Sequence, residues 1–399
     1  MKILLLHNFY GSSAPSGENS VFLAERDLLQ QRGHQVVEFT RHSDDIREKG
    51  IIGLICGACS TPWNPFSKKE LRKFLLAEKP DILHVHNTFP LLSPSIFHAA
   101  HGLDTAVVFT LHNYRVFCAA GIPMQENLPC TECLDKRSVF PALKYGCYRN
   151  SRAATIPMAL MIALHRQLGT WQKHVDAFIA LTRFQKRKMA EAGLPEERIY
   201  VKPHFYANPP DALNWSEREP KVVFIGRLGM EKGINVLIDA WKRWGEKAPM
   251  LEIIGDGPER NTLEKQVAEA GNIRFMGQVP YEETQKKLAR ASLLLLPSLC
   301  FEGFPMVIRE AFALGVPVAA SRLGSMPDIV TDEQDGALFS PGDADDLLEK
   351  VSSIWEKPEA LAVMAKNARK TFEARYTAGR NYDTLMEIYR HAMERQAAR

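Results

Sequence analysis

Short apolar runs alternate with longer amphipathic ones along the whole chain, and that alternation allows little besides parallel strands joined by helical crossovers. In the first half the expected strands are Ile3 to Leu6, Gln35 to Phe39, Asp81 to Val85, Ala106 to Leu111 and Ala177 to Leu181, with helices over about Glu18 to Gln31 and Lys68 to Glu78. Lys221 to Ile225, Leu251 to Ile254, Ile273 to Phe275, Leu293 to Leu296 and Val316 to Ala320 repeat the pattern in the second half. The class is α/β, one sheet order written twice. At 399 residues the chain exceeds one ordinary core. The seam is expected in His204 to Pro220, where three prolines and polar residues follow neither period. The domains are then 1–205 and 206–377, with an amphipathic tail helix in 378–399 available to pack back on the first domain.

Composition narrows the setting. Hydrophobic residues at 45% and charged ones at 24% are ordinary for a globular protein, and no run is long or apolar enough to span a bilayer. MKILLLHNFY ends in polar residues without a cleavage site, so it reads as a first strand, and the expected location is the cytoplasm. Residues 1–205 carry 25 basic and 18 acidic side chains, the remainder 25 and 29. A basic first half is compatible with anionic lipid or a phosphorylated acceptor. No dense Lys/Arg stripe with interleaved aromatics occurs, so no nucleic-acid partner is expected.

The stretch LCFEGFPMVIREAFALGVP, Leu299 to Pro317, sets Glu302 and Glu310 eight positions apart around Gly303-Phe304-Pro305. It follows a buried strand, and Pro305 reads as the first helical residue, where a missing N–H costs nothing. Glu302 then lies at the mouth of a helix and Glu310 roughly 7 to 8 Å further along its axis. In an open parallel sheet that mouth is where ligands bind. Its N–H groups suit phosphate, and carboxylates accept from paired sugar hydroxyls. Taken alone, the two acids also fit a helix cap and a surface charge. Upstream, GRLGMEKG, Gly226 to Gly233, leaves a strand with Arg227 and Lys232 among glycines, two cations able to converge on one diphosphate. It lacks the Gly-Lys-Ser/Thr of a P-loop, and by itself an exposed turn fits it about as well.

GRLGMEKG, IIGDGPER at Ile253 to Arg260, RFMGQV at Arg274 to Val279 and FEGFPMVIREA occur in the order and spacing of glycosyltransferase family 4, retaining enzymes of the GT-B fold. The chain resembles that family over nearly its whole length, through HNFYGSSAPSGENS at His7 to Ser20, LLQQRGHQV at Leu28 to Val36, KPDILHVH at Lys79 to His86 and FTLHNY at Phe109 to Tyr114. The resemblance implies two Rossmann-like, doubly wound domains facing a central cleft. It implies transfer of a sugar from a UDP- or GDP-sugar to a saccharide or lipid-linked acceptor, in assembly of a bacterial surface polysaccharide. Carried onto this sequence, it implies that Arg227 and Lys232 hold the diphosphate and Glu310 the ribose. Glu302 with Gly303, Phe304, Pro305, Met306 and Val307 would face the donor sugar and phosphate, and the backbone at Gln278 and Val279 the base. Gly17 would approach the phosphates and His112 the sugar, so that His112, Arg227, Lys232 and Glu302 are the implied catalytic set. Ser16-Gly17 stands where the family often has two adjacent glycines. No Asp-x-Asp pair is placed to hold Mg²⁺, and no catalytic metal is expected.

Several features fall outside that set. His84 and His86, two apart on a strand end, read as packed residues in the absence of a third ligand nearby, as does His7. Seven cysteines argue against a disulfide framework. Cys118, Cys130, Cys133 and Cys147, spaced C-x11-C-x2-C-x13-C, fit a structural zinc and scattered buried thiols equally. Cys56 and Cys59 form a weaker pair, and Cys300 adjoins the Glu302 loop. Tyr145 to Trp171 couples arginines to an apolar run that fits a bilayer interface, although with Pro157 a core helix is the preferred reading. Two other activities keep the same grips: a GT-B sugar-nucleotide epimerase and a non-catalytic sugar-nucleotide binder. A glycosidase has no use for the Arg227–Lys232 turn.

Overall fold

The computed structural model describes residues 1–11, 16–268 and 270–399. Ser12 to Pro15, inside the His7 to Ser20 stretch that carries part of the family resemblance, lie outside the described residues. The chain forms two compact units: one of Met1–Pro123, Thr131–Pro203 and Asn381–Arg399, the other of Met124–Cys130 and His204–Arg380.

The first unit holds strands β1 (Lys2–Phe9), β2 (Gln35–His42), β3 (Ile82–Asn87), β4 (Ala106–Thr110), β5 (Ala177–Ala180) and β6 (Ile199–Val201). Its main helices are α1 (Gly17–Gln31), α2 (Gly50–Ser60), α3 (Pro65–Glu78) and α4 (Arg152–Leu168). All six strands run parallel in the order β2-β1-β3-β4-β5-β6. Helix α3 begins three residues before the expected Lys68, because Asn64 caps the N–H groups of Phe66 and Ser67 and Pro65 fits the first turn. In α4 the apolar residues are split, with Met158, Met161 and Ile162 buried but Ile156 and Leu160 exposed, so the helix is one-sided where the sequence suggested an all-round core helix.

The second unit holds β7 (Lys221–Ile225), β8 (Met250–Ile254), β9 (Ile273–Gly277), β10 (Leu293–Leu296), β11 (Val318–Ser321) and β12 (Gly336–Phe339). Helices α5 (Ile234–Trp244), α6 (Tyr281–Arg290) and α7 (Met306–Ala313) follow β7, β9 and β10. The order is β9-β8-β7-β10-β11-β12, again parallel throughout. It reverses direction between β7 and β10, the switch point at which an open α/β sheet offers its crevice. Val222, Phe224, Leu251, Ile253, Leu293 and Leu295 point into one core with Leu237, Ile238 and Trp241 of α5. Pro305 is the N-cap of α7, and Met306 its first helical residue, one position later than expected.

The last helix, α8 (Ala378–Ala397), runs from the end of the second unit into the first. Its Leu385, Ile388, Tyr389 and Ala392, three and four apart on one face, join Ile3, Leu5, Phe22, Leu29, Ile82 and Ala106 in a single core.

Candidate active site

Three loops meet at the carboxyl edge of the second sheet, and glycines let their backbones touch. A Cβ on Gly255 would lie 1.9 Å from the Gly226 carbonyl oxygen, and one on Gly257 2.4 Å from that of Leu228. With side chains absent, the Leu228 N–H donates to the Asp256 carbonyl at 2.9 Å and the Glu259 N–H to that of Leu228 at 3.0 Å. Gly233, at φ +66°, would put a Cβ 1.9 Å from the Pro297 carbonyl oxygen, and the Leu299 N–H donates to the Glu231 carbonyl at 2.9 Å. GRLGMEKG, IIGDGPER and the loop after β10 are therefore one interlocked rim, built at the switch point between β7 and β10.

Charged side chains are fastened to that rim. Lys232 Nζ donates to Glu302 Oε1 at 2.6 Å, and Ser298 Oγ donates to the same oxygen at 2.9 Å. Ser325 Oγ donates to the Glu302 backbone carbonyl at 2.7 Å, which holds the loop as well as the side chain. Burial would lower the Lys232 pKa, but the Glu302 carboxylate beside it holds it above the ordinary value. Arg227 is exposed and donates from Nε and Nη2 to Glu231 Oε1, at 3.1 and 2.6 Å. Each cation is thus held by its own carboxylate, an arrangement that the sequence, reading both as directed at one diphosphate, did not anticipate. Cys300 is buried within the same loop, and burial pushes its thiol up.

Helix α7 rises from this rim, and its first turn leaves the N–H groups of Met306 and Val307 without partners inside the helix. Glu310 is buried at 8% exposure, and Gln285 Nε2 of α6 donates to its Oε2 at 2.9 Å. Burial raises the Glu310 pKa, opposed by Arg309 and by the Gln285 hydrogen bond. Tyr206 completes the shelf, its hydroxyl donating to Gln285 Oε1 at 3.3 Å and its ring 5.7 Å beneath the Arg309 guanidinium. Gln278 is exposed and Val279 half-buried just after β9, where Gly277 takes φ +69°.

In the first unit, Gly17 opens α1 behind the cap Ser16, whose Oγ accepts the Glu18 N–H at 3.2 Å. Glu18 Oε1 in turn accepts from Asn113 Nδ2 at 3.1 Å, tying the start of α1 to the loop after β4. Next to Asn113, His112 Nε2 lies 3.1 Å from His86 Nδ1, the two rings stacked. Behind them is a buried polar cluster. Glu25 Oε2 accepts from Lys202 Nζ at 2.6 Å, while His84 Nδ1 and His86 Nε2 stand 3.2 and 3.3 Å from Oε1. Burial raises the Glu25 carboxyl, but Lys202 and His84 hold it well below the carboxylate range. His84 also meets the Tyr389 hydroxyl and Thr110 Oγ1, each at 2.8 Å, and Lys202 reaches Asn381 Oδ1 at 3.3 Å.

Glu25, His84 and His86 are the described residues whose ligand atoms come close enough to share a cation, all within 4.8 Å. The sequence reading of packed histidines rested on there being no third ligand nearby, and Glu25 overturns that ground; Lys202 already supplies the positive charge, so the cluster is a buried ion pair. Sequence reasoning missed Glu25 and Lys202, although Val21, Phe22, Glu25, Leu28 and Leu29 are one helical stripe and an acid within such a stripe is the available signal. It also missed Glu231 and Ser298, each four positions from the residue it binds, and Gln285, which is 25 positions from Glu310. Of the four clustered cysteines, Cys118, Cys133 and Cys147 belong to the first unit and Cys130 to the second. Burial, with Cys133 and Cys147 nearby, pushes the Cys118 thiol up to about 12, the state of a packed neutral thiol.

Two family models match. Residues 17–206 fit Glycosyltransferase Family 4, and residues 208–371 fit Glycosyl transferases group 1. Among curated relatives, the sulfoquinovosyl transferase SQD2 of Arabidopsis thaliana is 26% identical over 86% of this chain and 65% of its own length. The putative teichuronic acid biosynthesis glycosyltransferase TuaC of Bacillus subtilis is 27% identical over 78% of this chain and 70% of its own. The chain therefore spans about two thirds of the length of these relatives. In fold it is similar to Anabaena Alr3699/HepE, solved in complex with UDP, at TM-score 0.64 and 18% identity over 97% of this chain and 99% of that one. It is also similar to sucrose-phosphate synthase of Thermosynechococcus elongatus, at TM-score 0.68 and 17% identity over 98% of both chains.

Proposed function

The chain belongs to the family 4 glycosyltransferases of GT-B fold, and from that premise we propose that it moves a sugar from a nucleotide-sugar donor to an acceptor hydroxyl with retention of configuration. One observation carries the proposal: the Lys232–Glu302 pair, at 2.6 Å, stands on the interlocked loops of the switch point, beside the open N–H groups of α7. Negative charge grows on the diphosphate as the anomeric C–O bond breaks. Lys232, Arg227 and the amides of Gly303, Phe304, Met306 and Val307 are placed beforehand to stabilise it more than they stabilise the intact donor. Glu310 accepts a ribose hydroxyl, and the backbone at Gln278 and Val279 meets the base. His112 and Gly17 are proposed as further donor contacts. The acceptor attacks from the face that the diphosphate leaves, and the departing phosphate takes its proton.

The donor is a UDP- or GDP-sugar, and the acceptor a saccharide or lipid-linked chain in surface-polysaccharide assembly; the polysaccharide reading is supported by TuaC, named for teichuronic acid biosynthesis, among the relatives. The enzyme works at the inner face of a membrane. Thermal-shift titration with UDP, GDP and ADP, followed by transfer assays with the matching sugars, tests the assignment. Stabilisation by one diphosphate and acceptor-dependent release of it are expected. Release of an altered free sugar without acceptor would instead make the protein an epimerase, and binding without turnover a carrier. The four cysteines are not among the described residues whose ligand atoms lie close enough to share a cation, so of the two readings of their spacing the packed thiols are kept and no zinc is proposed.

A further inference from the structure

Helix α2, GIIGLICGACS, is built inside out. It carries no charged residue, and its buried residues are Gly53 and Gly57. Gly53 sits so close to the preceding segment that a Cβ would fall 2.1 Å from the Ile46 carbonyl oxygen. The large side chains point the other way: Ile51, Ile52, Leu54 and Ile55 are 76%, 71%, 55% and 59% exposed. A helix of a water-soluble surface does the reverse, burying its large aliphatic residues and presenting polar ones. Helix α4, which packs against α2, adds Ile156 and Leu160 to the exposed apolar surface, and Phe66 at the start of α3 is 81% exposed.

The surroundings are cationic on balance: residues 41–73 hold seven lysines and arginines against the four carboxylates of Asp44, Asp45, Glu48 and Glu70, and between Asp135 and Asp176 there are seven lysines and arginines and no carboxylate. Two copies facing each other through α2 would bring these cations together, whereas an anionic surface complements them. No helix among the described residues is long and apolar enough to cross a membrane, and α2, 11 residues and about 16 Å long, suits lying in the plane of one.

We propose that α2 is an interfacial anchor, its Ile51, Ile52, Leu54 and Ile55 entering the acyl boundary of an anionic bilayer while Lys49, Lys69 and the basic side chains of α4 meet lipid phosphates. This deepens the proposed function by naming the surface that meets the membrane, and it rests on that reading only for the lipid-linked acceptor. The test is flotation of the full-length protein with vesicles of phosphatidylcholine alone and of equimolar phosphatidylcholine and phosphatidylglycerol, at low and high salt. Ile51→Ser/Ile55→Ser and Lys49→Glu/Lys69→Glu are the variants. The wild type is expected to float with the anionic vesicles and be released by salt. The serine variant should bind more than about tenfold more weakly, and the glutamate variant should lose most of the salt dependence. Undiminished flotation of the serine variant overturns the anchor, as does equal binding to neutral vesicles. So does a concentration-dependent dimer that the serine variant dissolves with no vesicle binding. The UDP- or GDP-induced thermal shift, measured on the same proteins, reports the donor site separately, so its loss would count against the glycosyltransferase reading and leave the anchor standing.

Discussion

Lys232 and Glu302, 70 positions apart in sequence, share one 2.6 Å ion pair that joins the loop after β7 to the loop after β10. In the proposed reaction the ammonium, already placed at the rim, would need no reorganisation as charge develops on a diphosphate. Removing one such preorganised donor costs about 2.7–4 kcal/mol of barrier. Lys232→Ala should therefore lower kcat about a hundredfold or more with the fold intact, and Arg227→Ala should behave alike. Nucleotide release under saturating donor measures both, and near-normal turnover in either variant removes that residue from the mechanism.

The buried pair of Glu25 and Lys202 predicts a stability asymmetry. Glu25→Gln leaves the Lys202 ammonium in the core without its counter-charge, at a cost of about 3–5 kcal/mol, readable as a lower urea midpoint. Glu25→Leu combined with Lys202→Met should recover most of that loss. A double variant no more stable than the single one would mean that the remaining contacts of Glu25, with His84 and His86, matter more than its charge.

Gly233 and Gly33 both adopt positive φ, +66° and +82°, but only Gly233 has a backbone oxygen where a Cβ would go. Gly33→Ala should cost about 1–2 kcal/mol from conformation alone. Gly233→Ala must also push the Pro297 carbonyl away, adding about 2 kcal/mol or more and loosening the Lys232–Glu302 rim. Equal melting temperatures for the two variants would show that the rim yields easily.

Acid should weaken the protein well above the ordinary carboxylate range. His7, His84 and His165 are fully buried, and burial lowers them to about 3, well below 6.5 and to about 4. The unfolded chain takes up protons below about 6.5 that the folded chain refuses. Stability is then complete above that pH and falls as pH drops from about 6.5 toward 4, by up to about 1.4 kcal/mol per unit for each histidine. Glu25, held below its ordinary value, adds loss in the same direction at lower pH. Melting temperatures measured from pH 7.5 to 4.5 check this, and a flat profile would contradict the buried neutral state.

The sheet architecture was legible because ten of the twelve strands in the two sheets are apolar runs beside turn signals. The two that escaped notice, β6 (Ile199–Val201) and β12 (Gly336–Phe339), are edge strands of three and four residues with neighbours on one side only, too short to show a period. Lys232 and Glu302 were legible as site candidates because glycines and charges crowd at strand ends. Their mutual pairing was not, since nothing local connects β7 to β10. Glu25 was passed over because the α1 stripe was read for its apolar members. The segment GIIGLICGACS was read only for Cys56 and Cys59, although eleven residues without a charge are themselves a signal.

Helix α8 supplies Tyr389 to His84 and Asn381 to both Lys202 and the Pro203 carbonyl. While the polypeptide is still emerging from the ribosome, the sheet of the first unit has all six strands but lacks the helix that seals one of its faces. The second unit's sheet lies wholly within 204–380 and is complete before that helix exists. The sheet of the first unit is thus made early and finished late, since a nascent chain needs residues 381–399 to cover Ile3 and Leu5.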